Sequence, residues 1–127
     1  MKTKLPLLFF ISIIFISCDP ENDFYLKGKI SDKNDKSTIT NAEVEFICYT
    51  GNREWNFEKN IAETNKHGIF NDTIVSLRRF DSIKIVINKK GYLTKEVMSE
   101  RKKWKINSGF MKTEFNIDFG NIELNKK

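Results

Sequence analysis

Ala42-Glu43-Val44-Glu45-Phe46-Ile47-Cys48-Tyr49 decides how this chain is read. Val44, Phe46 and Cys48 fall at every second position, with Glu43 and Glu45 between them. A period of two sends successive side chains to opposite faces of an extended strand, so the stretch predicts a half-buried β-strand. The same alternation appears on both sides of it. Phe24, Leu26 and Ile30 interleave with Tyr25, Lys27 and Lys29. Ile83, Ile85 and Ile87 interleave with Lys84, and Phe115, Ile117 and Phe119 with Asn116 and Asp118. Ile122 and Leu124 close the chain. Turn-forming residues separate these runs at Asp32–Asp35, Thr50-Gly51-Asn52, Asn65–Gly68, Lys89-Lys90-Gly91 and Asn107-Ser108-Gly109. Glu96–Trp104 is read as a strand end followed by loop. The expectation is an all-β chain of about seven short strands in a two-sheet sandwich.

The 127 residues are one domain's worth, with 39% hydrophobic and 31% charged residues. The apolar residues are unevenly spread. Lys2 and Lys4 precede an apolar run from Leu5 to Ile16, and no acidic residue occurs before Asp19. A basic start followed by a short apolar stretch is the layout of a secretory signal, and at ~1.5 Å per residue a helix of this length falls well short of the ~30 Å hydrocarbon core. The run ends in Phe15-Ile16-Ser17-Cys18. A small residue directly before a cysteine resembles the lipobox of bacterial lipoproteins, in which the thiol is acylated and cleavage leaves the cysteine first. The resemblance implies a signal peptide over 1–17, a lipidated Cys18 with a polar tether over 18–23, and a folded domain over 24–127. The implied location is the bacterial cell envelope, with the outer membrane the favoured one and the membrane itself a partner through the lipid. Each buried methylene adds only ~0.8 kcal/mol, so stable anchoring takes more than one acyl chain such as palmitate, as lipoprotein processing supplies.

Charge and cysteine usage fit this division. The chain has 22 basic and 17 acidic residues; removing Lys2 and Lys4 leaves 20 against 17, about +3. That balance is too weak to argue for nucleic acid. With Cys18 acylated, Cys48 stands alone and no internal disulfide can form. A buried thiol behaving as a small hydrophobe is its expected state. A domain of this size buries ~two-thirds of its unfolded surface and needs no disulfide to fold.

Five segments carry a family resemblance. Leu26-Lys27-Gly28-Lys29-Ile30-Ser31-Asp32 opens it. Ile39-Thr40-Asn41-Ala42-Glu43-Val44 follows, with Asn41 where the family often has glycine. Then come Thr64-Asn65-Lys66-His67-Gly68-Ile69-Phe70, Val86–Tyr92 and Phe119-Gly120-Asn121-Ile122-Glu123-Leu124. Together they resemble the carboxypeptidase regulatory-like domain, a transthyretin-like (immunoglobulin-like) β-sandwich, over Phe24–Leu124. A hydrophilic loop at Glu100–Ser108 is longer than the family's. The resemblance implies an accessory or binding role rather than an activity, since such domains occur attached to peptidases and outer-membrane receptors. Its recognisable residues are fold residues: Gly68 supplies a positive φ after a polar turn, Phe70 returns to the core, and Tyr92 packs its ring with the hydroxyl at the rim.

Few residues suggest chemistry. His67 is the sole histidine, with no second His or Cys at metal spacing, and is read as a turn residue. Asp32-Lys33-Asn34-Asp35 offers close oxygen ligands, but Lys33 and Lys36 intrude and no bidentate Glu follows, so a turn is favoured over calcium. Trp55, Phe57 and Trp104 are candidates for an aromatic platform under a sugar, against the plainer reading that they are core. Arg101-Lys102-Lys103-Trp104-Lys105 is the one dense basic run, either a solvated loop or a contact for anionic lipid or polysaccharide. No phosphate loop, Ser-His-Asp order or carboxylate pair stands out, and no cofactor or metal is expected. The function expected is a non-enzymatic, lipid-anchored accessory or interaction domain binding an envelope protein; the alternative is a carbohydrate-binding module that holds a glycan at Trp55 and Trp104.

Overall fold

The computed structural model describes residues 20–55 and 60–127. The leader 1–17, Cys18 and Phe57 lie outside the described residues. Nine strands are described: β1 Glu21–Asp32, β2 Glu43–Thr50, β3 Arg53–Trp55, β4 Ile61–Glu63, β5 Ile69–Ser76, β6 Ser82–Asn88, β7 Lys95–Glu100, β8 Lys105–Ser108 and β9 Lys112–Leu124. They form two sheets, in the orders β5-β1-β9-β8 and β3-β2-β6-β7, with β4 pairing the other end of the edge of β2 that β3 also borders. The expected all-β sandwich is present. The count exceeds the expected seven because β3, β4 and β8 have only three or four residues each, too few to show a period.

The alternation places the core as expected. Phe24, Leu26, Ile30, Val44, Phe46, Cys48, Ile83, Ile85, Ile87, Phe115, Ile117 and Leu124 are all buried between the sheets. Phe24 stacks on Phe115 with centroids 4.7 Å apart, and Phe80 and Trp104 pack on Phe24 at 5.1 and 6.1 Å. Phe70 holds the other half, 6.0 Å from Phe46 and 6.2 Å from Phe119. Burial pushes the Cys48 thiol up to about 12, which leaves it an inert apolar filler.

Two expectations need correction. The polar segment 18–23 was expected to be a tether, yet Glu21, Asn22 and Asp23 already belong to β1, and Asn22 and Asp23 are buried. Asn22 accepts from Arg79 and donates to the Arg78 carbonyl, and Lys112 lies 2.8 Å from Asp23 Oδ2, whereas Asp23 Oδ1 is buried without a partner. The loop expected over Glu100–Ser108 is a short 3-10 turn, Arg101–Lys103, followed by β8, which pairs with β9 from Lys105↔Asn116 to Ser108↔Thr113.

The segments that carried the family resemblance meet one another in space. Thr64 is buried; its hydroxyl donates to the Ile39 carbonyl at 2.6 Å and accepts from the Ala42 N–H at 2.9 Å, clasping the turn before β2. Asn41 in that turn has φ +56°, a left-handed conformation that asparagine tolerates better than most residues. The Asn65 side chain accepts from the N–H groups of His67 and Ile69, closing the turn into β5. Gly68 has φ +73°, and a Cβ there would lie 2.5 Å from the Ile30 carbonyl oxygen. Gly28 lets β1 accept the Phe70 ring, which a Cβ would meet at 2.5 Å.

Gly68→Val should therefore lose at least ~1–3 kcal/mol, through left-handed strain and a backbone clash. Phe70→Ala should lose ~3–5 kcal/mol through the cavity it opens. Exposed His67→Ala should stay within ~0.5 kcal/mol. Urea unfolding of the three variants checks this ranking; a silent Gly68→Val would contradict the turn geometry.

Candidate functional site

The outward side chains of the four-stranded sheet line a groove of about 600 Å³. β1 contributes Tyr25 and Lys27, the residues between its buried Phe24 and Leu26 and its buried Gly28. Register then decides their neighbours. Tyr25 lies between Thr73 of β5 and Asn116 of β9, and Asn116 faces Lys105 of β8; Lys27 lies between Asn71 and Asp118. Cross-strand partners on one face stand ~5 Å apart, so these side chains form two adjoining polar rows.

Trp104 shapes one bank. Its ring is inside the core, edge-on to Phe115 at 6.0 Å, and its indole N–H donates to Ser99 at 2.9 Å. In an extended segment the neighbours of an inward residue point outward, and Lys103 and Lys105 both line the groove. The basic run seen in the sequence is thus divided. Arg101 turns back to the Phe80 carbonyl and to Asp81 at 3.3 Å, Lys102 pairs with Glu100 at 3.1 Å, and only Lys103 and Lys105 serve the groove.

Tyr25 is fixed by its hydroxyl, which donates to Asp23 Oδ2 at 3.2 Å. The same oxygen receives Lys112, whose ammonium is held above the usual lysine range by Asp23. Lys27 and Asp118 are a loose exposed pair at 3.9 Å, of little energetic weight. Lys103 and Lys105 on one bank, amide and hydroxyl groups across the floor, a half-buried tyrosine ring and the carboxylates of Asp72 and Asp118 suit a polar ligand rich in hydrogen-bonding groups.

The candidate residues named from sequence fall elsewhere. Trp104 has 7% of its surface exposed and is a core residue, so it offers no ring face to a sugar; this corrects its assignment as a ligand contact. Trp55 is half-buried against the core, with the guanidinium groups of Arg53 and Arg78 at 4.2 and 3.8 Å from its ring centroid. Those cations take up the stacking surface a sugar would need. The two tryptophans are not brought together with the groove. His67 is exposed in its turn, and no group of three His, Cys, Asp or Glu side chains is placed to hold a metal among the described residues. Tyr25, Asn71, Thr73 and Asn116 were not singled out in the sequence. Their outward placement was legible in the alternation, whereas their juxtaposition depends on the antiparallel register of β1 with β5 and its parallel register with β9, which no local pattern encodes.

Asp32 is the polar centre of the opposite end of β1. It is solvent-shielded, accepts from the Tyr92 hydroxyl at 2.8 Å and from the N–H groups of Asn34 and Asp35, and has Lys126 at 3.5 Å. These side-chain and backbone donors, with Lys126, fill it, so it holds a turn together, as the plainer reading of Asp32–Asp35 had it. The Tyr92 hydrogen bond, against the opposing effect of burial and helped by the two backbone donors and Lys126, brings its carboxyl down to about 2.

No protein-family model matches the chain, and no curated protein matches it either. Solved structures do. The chain is similar to 3-chlorocatechol 1,2-dioxygenase from Rhodococcus opacus 1CP, at 10% identity and a TM-score of 0.58 over 83% of this chain and 60% of that one. It is similar to catechol 1,2-dioxygenase of Acinetobacter radioresistens, at 12% identity and a TM-score of 0.59 over 89% of this chain and 54% of that one. It is also similar to the group B streptococcus pilus 2b backbone protein, at 18% identity and a TM-score of 0.50 over 80% of this chain and 40% of that one. The chain spans between 40% and 60% of the lengths of these three. At such identities the likeness is one of fold alone. It is consistent with a transthyretin-like β-sandwich and carries no dioxygenase chemistry to this chain.

A folded carboxyl pKa lowered from 3.8 to about 2 stabilises the fold above about pH 4, and that contribution is lost as pH falls toward 2. Tyr92→Phe removes the largest cause of the depression. Its urea midpoint should lie below the wild type's at neutral pH, and the gap should narrow between about pH 5 and pH 2. A gap unchanged over that range would mean that the hydroxyl does not act through the Asp32 charge.

Proposed function

We propose that this chain is a lipid-anchored, non-enzymatic accessory domain of the bacterial cell envelope, a carboxypeptidase regulatory-like sandwich that offers the groove of its four-stranded sheet to an envelope protein. One observation carries the anchored reading: the apolar run ends in Ser17-Cys18, and β1 begins at Glu21. A lipidated Cys18 would then stand three residues from the folded domain. The family reading is supported by the way its segments meet, Gly28 against Phe70, Thr64 around Ile39–Ala42, and Asp32 with Tyr92. The groove supports an interaction role because its walls are side chains the core does not use.

Metabolic labelling with a fatty acid tests the anchor. Wild-type protein should take up label and Cys18→Ser should take up none; equal labelling of the two overturns the lipoprotein reading.

A carbohydrate-binding module remains the second reading, favoured by the Tyr25 ring set among Asn71, Asn116 and Asp118. A glycan array separates the two. Under the second reading specific glycans bind, and Tyr25→Ala and Asn116→Ala lose them. Under the first the array stays blank, and the wild type draws one envelope protein that Lys105→Glu releases.

A further inference from the structure

The end of the sandwich where β1 begins carries a second surface. Glu21 opposes Lys112, and its N–H donates to the Met111 carbonyl at 3.0 Å, which sets the β8–β9 turn beside the start of β1. Asn22 opposes Ser76, which sets Leu77 and Arg78 on the other flank. In the second sheet Thr50 opposes Arg53, the Asp81 N–H donates to the Tyr49 carbonyl, and the Arg101 N–H donates to the Asp81 carbonyl. All four arginines of the chain, Arg53, Arg78, Arg79 and Arg101, thus lie at this one end.

Two apolar side chains stand out among them. Phe110 is 96% exposed and Leu77 67%, the highest values among the exposed large hydrophobics described. Both sit on turns that flank the start of β1. Of the acidic groups described here, Asp81 pairs with Arg101, Glu100 with Lys102, and buried Asp23 shares Lys112 with Glu114, leaving Glu21 and Glu54. Arg53, Arg78 and Arg79 have no carboxylate within ion-pair distance among the described residues. Exposed apolar tips ringed by cations match the boundary between acyl chains and anionic headgroups.

We infer that this end is a membrane-docking surface, at which Phe110 and Leu77 enter the interface of an anionic bilayer and Arg53, Arg78 and Arg79 meet its headgroups. The inference rests on the acylation of Cys18 proposed above. Chain length carries it. Only Asp19 and Pro20 lie between Cys18 and Glu21, so over three Cα-to-Cα steps at ~3.3–3.6 Å each the lipid-bearing Cα lies within about 11 Å of the first residue of β1. The turn after Asp32 lies a full twelve-residue strand away, roughly 35–40 Å. A tether that short holds the β1 end against the lipid and keeps the other end away.

Full-length protein reconstituted in phosphatidylcholine vesicles, with and without phosphatidylglycerol, provides the test. Phe110→Cys, Leu77→Cys and Asn34→Cys each carry a fluorophore, buried Cys48 remaining unlabelled, and the vesicles carry a lipid-borne quencher. Fluorophores at 110 and 77 should be quenched, more so with phosphatidylglycerol, and the one at 34 should not. Fatty-acid labelling of the same preparations reports on Cys18 separately. Acylated protein whose fluorophores at 110 and 77 escape quenching overturns the docking surface and leaves the anchor standing. Protein lacking fatty acid at Cys18 overturns the anchor, and this inference with it. Equal quenching in both vesicles overturns the preference for anionic lipid.

Discussion

Phe24 is the contact on which the rest of the structure depends. It is fully buried, and its ring touches Phe115 from β9, Phe80 from the crossover between the sheets and Trp104 from the segment that returns to the first sheet. Four stretches of chain far apart in sequence are held by one cluster of rings. Aromatic side chains bury more apolar area than any others, and their tilted and stacked pairings add specificity beyond area. Position follows from this cluster: Trp104 inward places Lys103 and Lys105 outward, and Phe24 inward places Tyr25 on the outer face beside Asn116. The groove is the reverse side of the aromatic core.

The other half of the sandwich is tied by buried polar groups. Thr64 satisfies both a donor and an acceptor of the turn before β2, and Asp32 takes the Tyr92 hydroxyl at the end of the sandwich where β1 finishes. A buried carboxylate is costly unless its oxygens are occupied, and here two N–H groups, a hydroxyl and the Lys126 ammonium occupy them. The C-terminal residues reinforce the seam: the Leu93 N–H donates to the Asn125 carbonyl and the Lys127 N–H to the Gly91 carbonyl.

Legibility in the sequence tracked the range of the interaction. Strands β1, β2, β6 and β9 are long enough for a period of two to declare itself, and their inward residues were readable one by one. Gly68 and Tyr92 were readable because turn chemistry is local. Trp104 was not, because charged neighbours on both sides disguise a single inward residue between a 3-10 turn and a short strand. Asn22 and Asp23 look like tether and are buried only because Arg79 and Lys112, distant in sequence, meet them. The candidate groove was half legible: each outward residue was visible, but the cross-strand rows depend on how β1 and β9 align.

That alignment has a consequence for how the protein is made. β1 and β9 run parallel from Glu21↔Lys112 to Asp32↔Leu124, so the central pair of one sheet joins residues roughly ninety positions apart, the non-local kind of contact that slows folding to milliseconds or longer. Chain synthesis delivers β1 well before β9. Until the final strand has emerged, β1 shows an unpaired edge, and such an edge accepts strands from other chains. The sheet's central pair is therefore the one whose two partners become available furthest apart in time, and β1 stays exposed to wrong partners for that whole interval.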